Sequence, residues 1–438
     1  MNILSKKSSL SGTVTVPGSK SHTIRACIMA ALASGTSEIL NPLTGADCLS
    51  CAEVIQAFGA LVEMDGNIWR ITAPEKGLRL PSSPVDVGNS GSVLYFMAPI
   101  AATLPGWTEF TGDASICTRP VGQIIQAIKD LGGDGFTARK DIDAPPFSVR
   151  GPIHAGRVEH EGAFSQQISG LMMAAPLLHG QTEIILRNPK EMPFLQMTCD
   201  WLDFTGIHVR YDREKLNRFE IEGPQKYRSF RREIPSDWGS TAFPLVAAVI
   251  TGSKLEIANI DTSGSQGDSA IAGVLSAMGA DIVMDSEKKS LLVNHSGKGR
   301  LSCLRGGTFN CSGFPDAVPA LSVAACFAEG DTHLTDIGIV RHKETDRIAL
   351  MRTELAKLGA GLEEGSDYLL IHGTGGKGLH DAAVNSYDDH RIAMSLAVAG
   401  LGIEGNGVLI ENAECCTVSF PGFYRIMGEI GAGFVCMD

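Results

Sequence analysis

The stretch GSKSHTIRACIMAALASG (residues 18–35) decides the fold, because it joins a short polar and charged segment to a run of small apolar residues. The run is apolar on nearly every side, which is typical of a helix buried in a protein core. It is too short and too interrupted to span a membrane. The same combination recurs along the chain. The later apolar runs read SVLYFMAPIAATLPG, ISGLMMAAPLLHG, STAFPLVAAVITG, AVPALSVAACFAEG and RIAMSLAVAGLG.

A second kind of helix follows each buried one and ends at a hydrophobic residue next to a glycine-containing pair. Glycine in the left-handed conformation typically closes a helix. Successive copies lie about 73 residues apart, and once about 80. We interpret this spacing as six repeats, each of two helices and a few strands. The helix ends are Phe58-Gly59-Ala60, Leu131-Gly132-Gly133, Phe204-Thr205-Gly206, Met278-Gly279-Ala280, Leu358-Gly359-Ala360 and Ile430-Gly431-Ala432.

The length of 438 residues is too great for one compact core, so we expect two domains of three repeats each. Alternating stretches such as KLEIAN and THLTDIG predict strands between the helices, and the fold class is therefore α/β. We expect the chain to cross between domains near Pro17-Gly18 and near Pro235-Ser236. Residues 1–18 and 237–438 then form one discontinuous domain, and residues 19–236 form the other.

The composition excludes several classes of protein. A net charge of −12 argues against nonspecific nucleic-acid binding, but a small anionic ligand needs only a local cluster of cations. The N-terminus has no apolar signal region, and the eleven cysteines lack zinc-ligand spacing. GTGGKG (373–378) lacks the end of a phosphate-binding loop and predicts a glycine-rich turn. We expect a cytoplasmic monomer that binds small molecules without a metal or cofactor and contacts neither membrane nor nucleic acid.

Polar and charged segments precede all six buried helices. Helix N-termini attract phosphates and carboxylates through unpaired N–H groups and the helix dipole. If the repeats are related by rotation, these starts converge, and we expect an anionic ligand between the domains. Lys20, Arg25 and Arg391 would strengthen the preference for anions. The segments are GSKSHTIR (18–25), GNSGS (88–92), FSQQ (164–167), PSDWGST (235–241), GFPDAVP (313–319) and YDDHR (387–391).

Another charged segment, RHKETDR (341–347), opens a helix of the second kind. By itself it is typical of a solvated helix start in which Glu344 and Arg347 form an ion pair. Arg119-Pro120 by itself is typical of an ordinary first helical turn. Together with the other charged segments, however, RHKETDR favours a functional interpretation.

These motifs, in this order and spacing, resemble the enolpyruvyl transferase family along nearly the whole chain. KETDR and DHR favour its EPSP synthase branch over the branch that acts on UDP-N-acetylglucosamine, which usually has a cysteine at the position of Ala114. The resemblance implies an inside-out α/β barrel fold with two domains of three repeats. The motifs are GSKS with Arg25, GNSG, Arg119-Pro120, Ser165-x-Gln167, Asp237, Pro315-Asp316, KETDR and DHR.

The resemblance also implies a reaction, in which the 5-hydroxyl of shikimate 3-phosphate attacks C2 of phosphoenolpyruvate and the tetrahedral adduct loses phosphate. It implies that Asp316 is the general base, that Glu344 protonates and deprotonates the methylene carbon, and that Lys20 balances charge. The residues implied for phosphoenolpyruvate are Lys20, Gly91, Arg119, Gln167, Arg347 and Arg391. Those implied for shikimate 3-phosphate are Lys20, Ser21, Arg25, Ser165, Gln167, Asp316 and Lys343.

Five positions depart from the family pattern. Tyr95 and Val418 stand where a cation is usual, and Gln166 stands where a second serine is common. Glu191 and Phe194 lie where serine and tyrosine often contact the substrate phosphate, which a carboxylate would repel. Two alternatives therefore stay open: a divergent transferase with another hydroxylated acceptor, and a non-catalytic protein that binds an anionic metabolite. The presence of both a candidate acid and a candidate base weighs against the second.

Overall fold

The chain is described here by a computed structural model that covers residues 1–294 and 304–437. It divides into two compact units. Unit 1 comprises Met1–Pro17 and Pro235–Asp438, and unit 2 comprises Gly18–Ile234. These boundaries lie one or two residues from those that the sequence suggested.

The helices of unit 2 alternate between buried and half-exposed types. They are α1 (Lys20–Leu32), α2 (Ala46–Ala57), α3 (Gly91–Ala101), α4 (Gly122–Asp130), α5 (Ser165–Ala174) and α6 (Met192–Phe204). The strands are β3 (Ala33–Ser34), β4 (Thr36–Leu40), β5 (Leu61–Asp65), β6 (Ile68–Thr72), β7 (Val85–Asp86), β8 (Trp107–Thr111), β9 (Asp134–Thr137), β10 (Phe147–Arg150), β11 (Arg157–His160), β12 (Gly180–Leu186), β13 (Arg210–Tyr211), β14 (Arg218–Gly223), β15 (Tyr227–Arg228) and β16 (Arg231–Glu233).

Unit 1 repeats this alternation. Its helices are α7 (Trp238–Thr251), α8 (Ala270–Ala277), α9 (Val318–Cys326), α10 (Arg347–Lys357), α11 (His390–Gly402) and α12 (Phe423–Glu429). Its strands are β1 (Asn2–Lys6), β2 (Ser11–Thr15), β17 (Lys254–Ala258), β18 (Ile282–Asp285), β19 (Ser290–Val293), β20 (Thr308–Asn310), β21 (Glu329–Thr335), β22 (Gly361–Glu364), β23 (Tyr368–Thr374), β24 (Ala383–Asn385), β25 (Val408–Glu411) and β26 (Gly433–Met437).

Each unit contains three four-stranded sheets among its described strands, so the three repeats expected per unit are present, and β3 and β15 of unit 2 form a further two-stranded sheet. The orders are β16-β4-β6-β5, β7-β8-β10-β9 and β11-β12-β14-β13 in unit 2, and β18-β19-β17-β2, β20-β21-β23-β22 and β24-β25-β1-β26 in unit 1. One edge strand of each sheet pairs in parallel, as β7 does with β8, and the other neighbours pair antiparallel. A parallel pair needs a crossover connection, and here a buried helix such as α3 provides it.

In one sheet of each unit, the parallel edge strand is the last strand before the chain passes to the other unit. Strand β2 pairs with β17 of unit 1, although the next helix along the chain is α1 of unit 2. Strand β16 pairs with β4 of unit 2, although the next helix is α7 of unit 1. In each unit, the strand just before the crossing thus pairs within the sheet of the unit that the chain is leaving.

The buried helices form the centre of each unit and pack on the sheets around them. In unit 1, α7, α9 and α11 contact one another, and in unit 2, α3 contacts both α1 and α5. Small residues permit this packing: a Cβ on Gly170 of α5 would lie 2.2 Å from the carbonyl oxygen of Tyr95 in α3. The arrangement is the α/β fold that the sequence predicts, with helices inside and sheets outside.

Glycine closes the second helix of each repeat, as predicted. One glycine at each of the six helix ends adopts φ between 86° and 107°, the left-handed region that residues with a Cβ rarely adopt. Within residues 1–294 and 304–437, every helix is too short or too polar to cross the hydrocarbon layer of a membrane.

Candidate functional site

The starts of the buried helices lie close together in unit 2. The Gln166 side chain in α5 donates to Ser92 Oγ in α3 at 3.4 Å. Arg25 in α1 donates to Ser169 Oγ in α5 at 3.4 Å. The segments GSKSHTIR, GNSGS and FSQQ are therefore neighbours, as the repeat argument predicts for this half of the chain.

Lys20 stands at the first position of α1 and forms a nearly buried ion pair. Its Nζ lies 2.8 Å from Asp47 Oδ2 at the start of α2, and the two side chains are 14% and 4% exposed. Asp47 is a partner that sequence reasoning missed, since an acidic residue in a first helical turn is a common feature.

Arg25 is buried in α1 among neutral acceptors. Its guanidinium donates to Thr198 Oγ1 at 2.9 Å, to the Ser21 carbonyl at 3.0 Å and to the Phe194 carbonyl at 3.2 Å. Burial lowers the Arg25 pKa to about 9, and the Glu191 carboxylate partly opposes this effect. Arg25 therefore also holds the N-terminal end of α6 in place.

Arg119 is buried beside the start of α3. A Cβ on Gly91 would lie 3.6 Å from its guanidinium, so the Arg119 side chain packs directly against Gly91. The Pro120 carbonyl accepts from Tyr95 Oη at 2.9 Å and from Gln167 Nε2 at 3.2 Å. Tyr95, at a position where the family usually has a cation, thus supports the Arg119-Pro120 turn. Burial raises the Tyr95 pKa to about 12, while the Arg119 charge opposes the rise.

A carboxylate occupies the start of α5. Glu191 Oε2 accepts from the Ser165 hydroxyl at 2.8 Å and from the Ser165 backbone N–H at 3.2 Å. Glu191 is buried and adopts φ of 52°, a left-handed conformation that is uncommon for a residue with a side chain. The carboxylate therefore uses donors that could otherwise hold an anionic ligand.

In unit 1, Asp316 lies at the centre of a dense set of charges. It belongs to the 3-10 turn Pro315–Ala317 in front of α9. Its carboxylate lies 3.0 Å from Arg347 Nη1, 3.2 Å from Arg391 Nη2 and 3.9 Å from Lys343 Nζ. Burial would raise the Asp316 pKa, but Arg391, Lys343 and Arg347 together hold it well below its usual range.

Arg347 connects Asp316 with two further carboxylates. It donates to Glu344 Oε2 at 2.5 Å and through Nε to Asp389 Oδ2 at 2.8 Å, and its side chain is 1% exposed. Asp389 also accepts from the Thr345 hydroxyl at 3.0 Å. The interpretation of RHKETDR as a solvated helix start is therefore wrong for Arg347. Lys343 and Glu344 lie in front of α10 instead of within it.

Arg391 joins the starts of α7, α9 and α11. Its Nη1 donates to the Gly239 carbonyl at 3.3 Å and to the Asp316 carbonyl at 3.2 Å. A Cβ on Gly239 would lie 2.9 Å from the guanidinium, so this approach requires glycine. Val418 ends a neighbouring 3-10 segment, Ala413–Val418, which contacts α11.

The helix-start segments do not all supply a side-chain cap, although each contains residues suited to it. Ser90, Asp237 and Asp389 cap α3, α7 and α11 through their side chains. Ser19, Phe164 and Ala317 make no such bond at α1, α5 and α9, so the capping prediction is wrong for these helices. At α5 and α9 the reason is that Phe164 and Ala317 occupy the N-cap positions and have no side-chain acceptor, and at α5 the distant Glu191 accepts from the Ser165 N–H instead.

In the part of the chain that the structure describes, no group of three or more His, Cys, Asp or Glu side chains could hold a metal ion.

Comparison with known proteins identifies the family. The profile of the EPSP synthase (3-phosphoshikimate 1-carboxyvinyltransferase) family matches residues 4–427. Two curated relatives named 3-phosphoshikimate 1-carboxyvinyltransferase are similar over almost their whole length. The one from Ruminiclostridium cellulolyticum is 39% identical, covering 97% of each chain. The one from Acetivibrio thermocellus is 40% identical, covering 98% of this chain and 97% of the relative.

The similarity extends to structure. A solved EPSP synthase from Acinetobacter baumannii superposes with a TM-score of 0.80 at 26% identity and covers 100% of both chains. The fold, the motif order and the sequence similarity thus agree along the whole length. The chain belongs to the EPSP synthase (3-phosphoshikimate 1-carboxyvinyltransferase) family.

Proposed function

We propose that this chain transfers the enolpyruvyl group of phosphoenolpyruvate to the 5-hydroxyl of shikimate 3-phosphate, in aromatic amino acid biosynthesis. The observation that carries the proposal is the similarity to relatives of that name over 97–98% of the chain. The clustering of KETDR, DHR and Asp316 in unit 1 supports it, because these motifs carry the candidate acid, base and anion-binding groups.

The proposed chemistry is addition followed by elimination. The acceptor hydroxyl oxygen forms a bond to C2 of phosphoenolpyruvate while C3 gains a proton. The adduct then loses phosphate from C2 and a proton from C3, which restores the double bond. Atoms and electrons balance without an oxidant or reductant.

Asp316 is proposed to accept the hydroxyl proton. The cations around it keep it ionised at neutral pH, which a proton acceptor requires, although its low pKa makes it a weak base. A substrate anion that takes over part of the hydrogen bonding of Arg391 or Arg347 would leave the carboxylate more basic.

Glu344 is proposed to deliver the proton to C3 and to remove one later. In the structure its carboxylate is bound to Arg347 at 2.5 Å. An anionic substrate that binds Arg347 would compete with this pair, so substrate binding itself would favour the protonated acid.

The remaining roles follow the chemistry of the side chains. Arginine forks suit phosphate and carboxylate, and this supports Arg119, Arg347 and Arg391 as ligands of phosphoenolpyruvate. Lys20, Gly91 and Gln167 are proposed for the same substrate. Ser21, Arg25, Ser165, Gln167, Asp316 and Lys343, again with Lys20, are proposed for the acceptor. We also propose a cytoplasmic monomer that contacts neither nucleic acid nor membrane.

A second candidate is an enolpyruvyl transferase with another hydroxylated acceptor. The observation that favours it is the Glu191 carboxylate on the Ser165 donors, because two anions at one helix start repel each other.

One assay separates the two candidates. Purified protein is incubated with phosphoenolpyruvate and shikimate 3-phosphate, and phosphate release is followed. Release supports the first candidate, and no release at millimolar substrate contradicts it. Release only with another acceptor supports the second. Glu344→Gln and Asp316→Asn are expected to reduce turnover by about 10²–10⁴-fold in folded protein, and unchanged rates would refute the assigned roles.

A further inference from the structure

Asp268 is a buried carboxyl that the proposed mechanism does not use. It lies in the 3-10 turn Gly267–Ser269 in front of α8, in unit 1. The residue is 6% exposed, and its Oδ1 is buried with no hydrogen-bond partner among the residues that the structure describes. An ionised carboxylate in such surroundings is costly, so the position favours a neutral acid.

The position of this turn is fixed by its neighbour Gln266. The Gln266 side chain donates to the Ser236 carbonyl at 2.8 Å and to Asp261 Oδ2 at 2.9 Å. It accepts from the backbone N–H of Trp238 at 3.0 Å. The turn also contacts α7 and the turn that carries Asp316. Asp268 is therefore held beside the charged groups of the candidate site.

We call these groups the unit 1 charge cluster. Asp316 pairs with Lys343, Arg347 and Arg391, and Arg347 also pairs with Glu344 and Asp389. Asp268 and Asp237 both act on Arg391 electrostatically. His390 adjoins Asp389 and acts on it electrostatically. The cluster is Asp237, Asp268, Asp316, Glu344, Asp389, Lys343, Arg347, Arg391 and His390.

The charges in this cluster do not balance. With every carboxyl ionised and His390 neutral, five negative charges face three positive ones, an excess of two. The proposed substrates are themselves anions. Binding them beside a net negative cluster costs electrostatic energy, and this cost is smaller when one carboxyl becomes neutral.

Asp268 differs from Asp316 and Asp389 in the direction of its pKa shift. Burial and the nearby Asp316 raise the Asp268 pKa to about 7, Arg391 opposes the rise, and smaller effects come from Asp237 and Lys343. Burial would raise the Asp389 pKa, but Arg347 holds it below its usual value. Asp316 is likewise held low. Near neutral pH, Asp268 is thus poised to change its charge.

We propose that Asp268 takes up a proton from the solvent when an anionic substrate binds at the unit 1 charge cluster, and so offsets the charge that the substrate brings. The inference rests on the function proposed above and deepens it. The proton comes from a buffer acid or water and forms the neutral carboxylic acid. Asp268 acts through Arg391 and Asp316, so it is a positioning residue and not a catalytic one.

The proposal has a definite consequence for pH dependence. A bound anion raises the Asp268 pKa further. At pH values between the Asp268 pKa of the free protein and that of the complex, the protein therefore takes up about one proton for each substrate that binds. Substrate affinity then falls by up to about tenfold for each pH unit above 7. Above pH 7.5 the phosphate of the substrate is already mostly ionised, since its second pKa lies near 6.

Isothermal titration calorimetry tests this directly. Phosphoenolpyruvate is titrated into the protein without an acceptor, so that no turnover occurs, at pH 7.5–8.5 and in buffers that differ in ionisation enthalpy. We expect the native protein to take up a large fraction of one proton more than Asp268→Asn does, and the affinity of the variant to depend less on pH. No uptake by the native protein, or the same uptake by Asp268→Asn, would overturn the proposal.

Two variants serve as controls. Asp268→Glu keeps a titratable group and is expected to restore proton uptake. Asp285 belongs to the same unit, and backbone hydrogen bonds lower the pKa of its carboxylate. The Asp285→Asn variant is expected to take up protons as the native protein does. Loss of uptake in Asp285→Asn would show that the effect is not specific to Asp268.

A second measurement keeps the proposal separate from the function. If neither substrate binds, the proposed function fails. Carboxyl ¹³C NMR of the native protein, labelled in aspartate, then tests Asp268 alone. The Asp268 resonance is assigned with Asp268→Asn, or with Asp268→Glu if the first variant does not fold. It should titrate near pH 7. Added phosphate with pyruvate should shift the midpoint upward. A midpoint below pH 5, or one that the anions do not raise, would overturn the proposal.

Discussion

Two buried arginines show how differently the two units hold positive charge. Arg25 in unit 2 is surrounded by hydroxyl and carbonyl oxygens. Arg347 in unit 1 is bound to three carboxylates. Dipoles satisfy the hydrogen bonds of an arginine and leave its charge in place, whereas carboxylates cancel the charge as well. The positive charge of Arg25 is therefore available to attract an anionic ligand. At Arg347 such a ligand must compete with the carboxylates that are already bound.

This difference assigns different tasks to the two regions. The hydrogen-bond partners of Arg25 are neutral and suit fixed positioning, since their charge does not change when a ligand arrives. The ion pairs around Arg347 suit proton exchange, since an incoming anion changes the charge that each carboxyl experiences.

The largest expected effect comes from exchanging each arginine for methionine. Arg347→Met leaves three carboxylates, the buried Asp389 and the half-buried Asp316 and Glu344, without their common partner. We expect a loss of about 3–5 kcal/mol in the free energy of unfolding. Arg25→Met removes hydrogen bonds to neutral groups, and we expect a loss of about 1–3 kcal/mol. Urea unfolding at pH 8 measures both. Equal losses would contradict the comparison.

The second effect concerns the pH dependence of stability. The Asp268 pKa is raised from 3.8 to about 7 in the folded protein. The folded state therefore holds this proton more tightly than the unfolded state, and stability decreases as pH rises between these values. Asp268→Asn lacks this loss, so we expect it to gain a few kcal/mol over the native protein at pH 8, at about 1.4 kcal/mol per pKa unit. No gain should appear at pH 4.

Unfolding curves at both pH values check the Asp268→Asn prediction. A variant that is equally destabilised at pH 4 and pH 8 would indicate a packing defect and contradict the linkage. Asp285→Asn provides the matched control, because its carboxylate is only half-buried, in a hairpin of the same unit.

The third effect concerns the start of α5. Glu191→Gln keeps an acceptor for the Ser165 donors and removes the negative charge. We expect shikimate 3-phosphate to bind about tenfold more tightly, or about 1.4 kcal/mol. Calorimetry with this ligand alone measures the change, and the exposed Glu222→Gln is the control. Unchanged or weaker binding would show that Glu191 does not compete with the substrate.

The smallest effect concerns Tyr95. Tyr95→Phe removes the hydrogen bond to the Pro120 carbonyl, which still accepts from Gln167. We expect a loss of about 0.5–1 kcal/mol in unfolding free energy and a small rise in KM for phosphoenolpyruvate with unchanged kcat. A large fall in kcat would mean that Tyr95 takes part in the chemistry.

Much of the fold could be predicted from the sequence because the repeats carry strong local signals. Buried helices consist of small apolar residues, and glycine ends each second helix. The sheet order could not be predicted, because pairing such as that of β2 with β17 joins residues more than two hundred positions apart. The acceptor for the N–H groups at a helix start can also come from a distant part of the chain, as it does where Glu191 accepts from the Ser165 N–H. Such a contact could not be predicted from the segment before the helix.

The candidate site was predicted less completely. Asp316, Glu344 and Arg347 are found together in unit 1. Asp47 and Asp268 were missed, because a single aspartate in a helix start or turn has no sequence pattern that distinguishes it from a solvated one. Asp389 lies within a segment that was identified, but its place between Arg347 and α11 depends on the packing of two distant helices.

The two crossings of the chain set an order for its synthesis. All strands and helices of unit 2 lie between residues 18 and 234, so this unit can fold as soon as that stretch has left the ribosome. Strands β1 and β2 are made first, yet their partners β17, β25 and β26 are made only afterwards. The nascent chain is therefore expected to carry an unpaired leading segment next to a finished unit. A tag or deletion at the N-terminus should then impair the unit that is completed last and leave its neighbour intact.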